Sequence, residues 1–249
     1  MDKFKAYIFG TGSIAFRHAK ILAKKNFEVS LITSRSINSL ESMGFNILKR
    51  ESIEYDILNS DLTIICSDHS LRIHDLNLAI KLTKSSGKIF IEKPLLPTYI
   101  RLTKQITESL RKNKELFCLF NVRYHPLVLS AKNEILKKSK KGIFLIDADF
   151  IFKDNAFNWY GERFFNNYTS SPTTGGVLNT SCHEIDLASF LIGLNYENKA
   201  SEVNVISFKR DEKLCLEEVE FEFIDQFLTI RFDLSLVNNE RIRKFNLRF

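Results

Sequence analysis

Three short stretches of this 249-residue sequence carry side chains whose types and spacing could do chemistry. The first is Ile91-Glu-Lys-Pro-Leu95, which places Lys93 directly after an apolar segment, and the second is His183-Glu-Ile-Asp186. A histidine with a pKa near ~6.5 exchanges protons at cellular pH. Asp186 lies three positions further on, on the same face of a helix, where it could orient His183 or bind a substrate hydroxyl. A surface lysine and a histidine with only a packing role are the alternatives.

The third stretch is the glycine-rich run Gly10-Thr-Gly-Ser-Ile-Ala15, which follows a strand-like segment and opens a helix-like one. In this G-x-G-x-x-A pattern the first glycine permits a tight turn, the second lets the backbone approach a pyrophosphate, and Ala15 allows close packing of helix on strand. The start of the helix offers unpaired N–H groups to the anion. The pattern predicts a dinucleotide site that includes Gly10, Thr11, Gly12, Ser13 and Ile14, and a purely structural loop is the alternative.

The residues after the second predicted strand bear on which dinucleotide is bound. An acidic residue there would bind the ribose 2′-hydroxyl of NAD, but Thr33-Ser-Arg-Ser36 contains none. Arg35 would pair well with a 2′-phosphate, so Ser34 and Arg35 favour NADP over NAD. Alternatively, Arg35 is a solvated turn residue, or it stacks on the adenine in an NAD enzyme.

The elements that must position these residues alternate between strand and helix in the first half of the chain. Predicted strands such as 61–66 are wholly apolar, which is typical of a parallel sheet buried on both faces. The alternation indicates βαβ units and a doubly wound, Rossmann-type parallel sheet over residues 1–121. The predicted strands are 4–9, 27–33, 45–48, 61–66, 88–91 and 116–120, and the predicted helices are 13–25, 36–43, 71–84 and 98–112.

The second half, residues 122–249, changes character. A helix after Pro126 is followed by segments in which polar and apolar residues alternate, as in Val219-Glu-Phe-Glu-Phe223. This pattern predicts an α+β domain with an open, mostly antiparallel sheet that has one solvated face. The predicted strands are 143–152, 202–208, 214–223 and 227–236, with a strand-like end at 241–249, and one helix, 177–191, stops at Gly193.

Composition narrows the class of protein. No apolar run reaches the ~18 residues that span a bilayer, and the N-terminal residues are not those of a secretory signal. The four cysteines are widely spread, which argues against a zinc site or a disulfide framework and suits a reducing cytoplasm. The net charge of +6 permits an anionic partner, but the lysines are scattered and no nucleic-acid-binding motif accompanies them. We therefore expect a cytoplasmic protein that binds an anionic small molecule, with no nucleic acid, membrane or metal.

Taken in order, the motifs resemble the glucose–fructose oxidoreductase/inositol dehydrogenase (Gfo/Idh/MocA) family. To the glycine loop and Ile91–Leu95 they add Asn121-Val-Arg-Tyr-His-Pro126, and Gly175-Gly-Val-Leu178 before His183–Asp186. The wording of the later motifs is similar to a subset linked to surface-sugar and sialic-acid-like biosynthesis. The resemblance implies a Rossmann domain, a second domain whose open sheet mediates homo-oligomerisation, and hydride transfer between nicotinamide and a sugar, nucleotide-sugar or cyclitol carbon.

The resemblance also implies roles for single residues. Lys93 would lie beside nicotinamide and substrate, and with His183 it would supply the base and the cation that oxidation of a secondary alcohol requires. Pro94 is expected to shape the bend there, and a cis peptide bond is one way to do so. The remaining cofactor contacts would come from the loop after the fourth predicted strand and from the strand before Lys93, through Ser67, Asp68, His69 and Glu92.

Substrate contacts are expected from the second half. Arg123 and His125 follow the sixth predicted strand, where they could hold a substrate carboxylate or phosphate. Trp159, with Tyr168 in the same loop, resembles an aromatic substrate-loop position, and a core anchor is the equal alternative. The substrate-binding set is completed by Asn179, Thr180 and Asp186.

Two features depart from the family pattern. Family members usually carry an aspartate three or four residues before the helical histidine, where this sequence has Thr180 and Asn179, neither of which can stabilise a protonated His183 by charge. Family chains are also longer, and 241–249 is expected to be an edge strand that another subunit covers unless the chain is shortened or incomplete. The alternative to an oxidoreductase is therefore a catalytically impaired dinucleotide-binding sensor or partner subunit.

Overall fold

The chain divides into two compact units, Met1–Leu119 and Phe120–Phe249. The structure is a computed structural model that describes residues 3–35, 44–53, 59–95, 115–162, 176–193, 202–211, 216–225 and 227–249. The predicted helices 36–43 and 98–112, together with Tyr168, Gly175 and Cys215, lie outside the described residues.

The first unit contains a six-stranded sheet in which every neighbouring pair of strands is parallel. The strand order is β3-β2-β1-β4-β5-β6, the order of a doubly wound sheet that reverses direction beside its first strand. The predicted Rossmann-type sheet is therefore confirmed. Its elements are β1 Phe4–Phe9, α1 Ser13–Ala23, β2 Phe27–Thr33, β3 Asn46–Lys49, β4 Ser60–Ile65, α2 Arg72–Leu82, β5 Thr83–Glu92 and β6 Leu116–Leu119.

Both faces of this sheet are buried, because successive apolar residues of each strand point to opposite sides. On β1, Ala6 and Ile8 pack with the α1 residues Ala15 and Ala19 in one core cluster. Tyr7 and Phe9 belong to the other cluster, which includes residues of α2. A helix covers each face, so the carboxyl ends of the strands and the loops after them are left to form a site.

The second unit contains a five-stranded sheet in the order β11-β7-β10-β9-β8, which is antiparallel except for the parallel pair β7 and β10. This confirms the prediction of a mostly antiparallel sheet. The core lies on one face, where alternate residues of β7, such as Phe150 and Phe152, pack against apolar residues of the helices. The elements are α3 Pro126–Ser139, β7 Asp147–Asn155, α4 Ala156–Tyr160, α5 Val177–Thr180, α6 Cys182–Ile192, β8 Glu202–Asp211, β9 Leu216–Asp225, β10 Leu228–Ser235 and β11 Val237–Arg248.

The predicted single helix 177–191 is wrong in one respect, since Ser181 (φ −93°, ψ 19°) divides it into α5 and α6. Residues of both α5 and α6 pack in the same core, so the apolar periodicity continues through the break. Hydrophobic periodicity alone therefore could not predict that the helix is interrupted. Gly193 ends α6 in the left-handed conformation (φ +76°), as predicted. In the part of the chain that the structure describes, no helix is long and apolar enough to cross a membrane.

Candidate dinucleotide site and candidate proton-transfer residues

Gly10 lies where the end of β1 meets the ends of its two neighbouring strands. Its backbone has φ +111°, which side-chain-bearing residues rarely adopt, and a Cβ atom would lie 3.0 Å from the carbonyl oxygen of Cys66. The Gly10 N–H donates to the carbonyl of Ile32 at 2.8 Å. The first glycine of the motif is therefore required by the packing of the protein itself.

Gly12 stands in a different environment at the start of α1. Its backbone is extended (φ −82°, ψ 175°), and a Cβ atom there would meet nothing within 4 Å. No side chain caps the helix, its first turn contains no acidic residue, and the first intrahelical bond comes from the Phe16 N–H. The first turn of α1 thus has no capping side chain and no acidic residue of its own to compete with an anion, which fits a pyrophosphate.

The loops after β4 and β5 are tied together by Arg72, a buried residue at the start of α2. Its guanidinium donates from Nε to the carbonyl of Ser67 at 3.3 Å, and from Nη1 to the carbonyls of Glu92 and Pro94. Two of these carbonyls flank Lys93, which is half-buried. The peptide bond between Lys93 and Pro94 is cis, which the sequence analysis named as one way to shape the bend. Sequence reasoning missed Arg72, which lies near the start of the predicted helix 71–84, directly after the loop that follows the fourth predicted strand.

The Glu92 side chain is held by the first helix. The His18 Nε2 atom lies 2.8 Å from the Glu92 Oε1 atom, so α1 and the end of β5 are joined by a hydrogen bond between side chains. Glu92 was predicted to contact the cofactor. In the structure, its carboxylate is hydrogen-bonded to His18. The bond holds the strand end that precedes Lys93 against α1.

Asp68 shapes the loop after β4. Its carboxylate accepts hydrogen bonds from the Ser70 N–H at 3.0 Å and the Ser70 hydroxyl at 2.8 Å. Burial opposes ionisation of Asp68, but these two bonds, with the charges of His69 and Arg72, lower its pKa below the ordinary value. The carboxylate is thus a stable cap for the 3-10 turn His69–Leu71, in which His69 is buried.

Cys66, at the end of β4, has a thiol pKa raised by burial and by the nearby Glu92 carboxylate. The charge of Arg72 opposes this effect without cancelling it. The side chain therefore stays a neutral thiol at neutral pH, which removes Cys66 as a nucleophile.

The end of β2 contains more charge than sequence reasoning identified. Ser34 and Arg35 are exposed as expected, and the hydroxyl of Thr33 accepts from the Arg35 N–H at 3.1 Å. Arg50, a buried residue directly after β3, donates to the Ser34 hydroxyl at 2.9 Å and to the buried Asp75 carboxylate at 2.9 Å. The missed signal is strand order, because β3 follows β2 in the chain and also lies beside it in the sheet.

His183 lies in the second unit, at the start of α6, and is half-buried. Its ring meets Phe120 edge-on, with ring centroids 5.8 Å apart. Asp186, which was predicted to orient His183 or bind substrate, accepts two hydrogen bonds from Arg123, one from Nε at 2.7 Å and one from Nη2. Arg123, which was predicted to hold a substrate anion, thus donates from two of its nitrogen atoms to Asp186.

Further predicted substrate residues have contacts of their own within the second unit. The His125 Nδ1 atom accepts from the Leu127 N–H at 3.3 Å and so caps α3. Trp159 packs on the core beside Phe152, with ring centroids 6.1 Å apart, which is the core-anchor alternative for that residue. The two residues at the position of the family aspartate, Asn179 and Thr180, are buried in α5, and the Thr180 hydroxyl donates to the carbonyl of Gly176 at 3.0 Å.

Glu184, beside His183, is buried and accepts from Arg243 of β11 at 2.6 Å. This ion pair joins α6 to β11. Among the described residues, no group of three or more His, Cys, Asp or Glu side chains is arranged to hold a metal ion.

Comparison with known proteins gives a likeness in structure alone. No family model matches the sequence, and no curated protein matches it. The WlbA dehydrogenase of Chromobacterium violaceum, in complex with NADH and UDP-GlcNAcA, is 15% identical with a TM-score of 0.71, over 99% of this chain and 72% of that one. A myo-inositol dehydrogenase of Corynebacterium glutamicum is 15% identical with a TM-score of 0.69, over 98% of this chain and 72% of that one.

A third structure is an oxidoreductase of Agrobacterium radiobacter in complex with NAD+, L-tartaric acid and magnesium. It is 13% identical to this chain with a TM-score of 0.73, over 98% of this chain and 71% of its own. The neighbours are oxidoreductases of the Gfo/Idh/MocA type, so the fold that the sequence resemblance implies is confirmed.

Proposed function

We propose that this chain is an NAD(P)-dependent oxidoreductase that transfers a hydride between nicotinamide and the carbon of a sugar, nucleotide sugar or cyclitol. The observation that carries the proposal is the shared edge of the first sheet. Strands β1, β4 and β5 are parallel neighbours, so the glycine loop, the Ser67–His69 loop and Lys93 follow strand ends on one edge. In open α/β sheets this is the edge at which ligands bind.

The residues present fit the cofactor at both of its halves. The open space at Gly12 and the uncapped first turn of α1 suit the pyrophosphate, and the loops held by Arg72 would receive the nicotinamide half. The bound nicotinamide supplies the hydride acceptor or donor. Lys93 would place its cation near the reacting oxygen, and His183 would take or give the hydroxyl proton.

The proposal extends to the setting in which this enzyme works. We assign dinucleotide binding to residues 1–121 and substrate binding to 122–249, and place the protein in the cytoplasm as a homo-oligomer associating through the second sheet. The family resemblance supports this assembly, and the spread cysteines support the location. The nucleotide sugar in the WlbA complex supports a role in surface-polysaccharide biosynthesis.

The second candidate, a dinucleotide-binding protein without turnover, is favoured by one observation. Asn179 and Thr180 are buried, and neither supplies a carboxylate that could stabilise a protonated His183. In the second unit, the nearby Asp186 carboxylate is already paired with Arg123. If His183 works, it must do so without a charged partner at those positions.

The test compares hydride transfer by the wild type with that by Lys93→Met and His183→Gln, using NADP+ and NAD+ with a panel of sugars, nucleotide sugars and cyclitols. We expect kcat to fall at least tenfold in each variant while the dissociation constant for the dinucleotide changes little, because each lost group serves proton transfer or charge stabilisation. Absorbance at 340 nm gives the rate.

Lys88→Met is the matched control, since Lys88 lies on β5, the strand that precedes Lys93, and pairs with Glu115 at 3.1 Å, away from the strand end. It should retain wild-type turnover. Equal turnover in the wild type, Lys93→Met and His183→Gln would overturn the assignment of the two residues. Tight dinucleotide binding without turnover on any substrate of the panel would favour the second candidate.

A further inference from the structure

Strand β8 is the end strand of the second sheet in the part of the chain that the structure describes. It is ten residues long, and it pairs with β9 on its inner side. Four of its apolar side chains are 51–65% exposed, namely Val203, Val205, Ile206 and Phe208. A long edge strand with exposed apolar side chains is a template for pairing with another strand.

The register of β8 with β9 shows which face of the sheet these side chains occupy. Val203 is paired with Phe223 of β9, and Phe223 is buried in the core of the second unit. Phe208 is paired with Val219, which is buried in the same core. A shift of register between the two pairs adds one residue to β8 relative to β9. Because of this bulge, Val203 and Phe208 lie on the same face, and without the extra residue they would lie on opposite faces.

The strand also has an exposed charge of opposite sign near each end, Glu202 and Lys209. Both lie on the face opposite the core, since they are paired with Ile224 and Glu218, the chain neighbours of the two buried β9 residues. A second copy of β8 running in the reverse direction would therefore bring each charge beside one of the opposite sign.

From this pattern we infer that β8 pairs antiparallel with β8 of a second copy of this chain, joining two sheets edge to edge. A two-fold axis perpendicular to the sheet reverses the strand direction and keeps each face on its own side. The register that sets Glu202 opposite Lys209 of the second copy also sets Val203 opposite Phe208 of that copy. By symmetry each of these pairs occurs twice, so opposite charges meet on one face and apolar side chains meet on the other.

Neighbouring registers lack this match. A shift of two residues in either direction again pairs side chains on the same face, but it sets Glu202 opposite Ser207, or Val203 opposite Arg210. The strand therefore specifies one register, and the partner that fits it carries the same sequence. The inference rests on the homo-oligomer proposed above and gives that assembly its surface, but it does not depend on hydride transfer.

The test measures self-association by sedimentation velocity over a series of concentrations for the wild type, Glu202→Lys and Lys209→Glu. Each single reversal sets two pairs of like charges opposite each other in the dimer, so we expect the dimer dissociation constant to rise about tenfold. The double variant Glu202→Lys/Lys209→Glu restores two pairs of opposite charge and should dimerise as the wild type does. An equal mixture of the two single variants should also recover the dimer, because each heterodimer again pairs lysine with glutamate.

Glu240→Lys and Lys244→Glu are the matched controls, since both residues are exposed on β11, at the other end of the sheet. They should leave the dissociation constant unchanged. A wild type that stays monomeric overturns the inference, as does a dimer that the β8 reversals do not weaken, or a mixture of the single variants that does not recover it. Hydride transfer in any of these cases leaves the proposed function standing. The predicted dimerisation without turnover on any substrate supports the inference while counting against the proposed reaction.

Discussion

Gly10 and Gly12 stand two residues apart in one loop, and the structure gives a different reason for each. A side chain at Gly10 would press on the backbone of Cys66 and would require a left-handed conformation. A side chain at Gly12 would project into open space at the start of α1. One glycine therefore serves the fold, and the other leaves room for a ligand.

Alanine at each position should separate the two roles. Gly10→Ala should lower the free energy of unfolding by roughly 2–4 kcal/mol, because the positive φ and the contact with Cys66 are both unfavourable to a Cβ. Gly12→Ala should change stability by less than about 1 kcal/mol. Its affinity for NADPH and NADH should nevertheless fall at least tenfold, because the backbone can no longer approach the pyrophosphate.

Urea unfolding and fluorescence titration of the two variants provide these measurements. A Gly12→Ala protein that binds dinucleotides as the wild type does would contradict the assignment of this loop.

Single residues could be predicted where the motif is local in sequence. The glycine loop directly follows β1 and Lys93 directly follows β5. The apolar residues before each of them were therefore enough to predict that they lie at strand ends. Arg50 could not, because it reaches Ser34 only through the pairing of β3 with β2. The contact of Arg123 with Asp186 joins residues 63 positions apart, so it was equally hidden.

Arg72, the first residue of α2, connects the ends of two strands of the first sheet. Arg72 donates to the Ser67 carbonyl after β4 and to the carbonyls of Glu92 and Pro94 on either side of Lys93. The ends of two parallel strands are thereby fixed to one helix. Local rigidity at Lys93 is thus a property of three elements and not of the Glu92-Lys-Pro94 segment alone.

Replacement of Arg72 by methionine should loosen this edge of the sheet. The variant keeps an apolar stem of comparable length but leaves the carbonyls without their donor, so we expect a loss of roughly 2–4 kcal/mol in stability. Hydrogen exchange at Ile91–Leu95 should quicken at least tenfold relative to β1, because the strand end opens locally.

Arg17→Met is the control for this measurement, since Arg17 is an exposed arginine on α1. It should leave exchange in Ile91–Leu95 unchanged. If Arg72→Met exchanges there at the wild-type rate, the guanidinium does not hold the segment.

Element boundaries show where periodicity suffices and where it fails. The buried strands β1 and β2 have the bounds that their apolar runs predicted. Strand β5 begins at Thr83, five residues before its predicted start, because pairing with β4 extends it through polar residues. The interruption at Ser181 is set by local backbone conformation, which hydrophobic spacing does not encode.

At the scale of the whole molecule, the order of elements predicted the architecture well. Strand–helix alternation followed by alternating polar and apolar segments led to a doubly wound sheet and a mostly antiparallel one, and solved structures that are 13–15% identical share this fold. Architecture is predictable because it depends on patterns repeated over many residues. Chemistry depends on a few side chains, and those must be tested one at a time.

We propose that this chain transfers a hydride between nicotinamide and a carbon of a sugar-type substrate. The direct measurement uses NADPH and NADH deuterated at C4 of the nicotinamide, mixed with the protein and with oxidised sugars, nucleotide sugars and cyclitols, and followed by mass spectrometry of the products. We expect one deuterium on a carbon of the reduced product, and label that accumulates at least tenfold more slowly when Lys93→Met replaces the wild type. Saturable binding of both dinucleotides with no deuterium in any product would contradict the proposal.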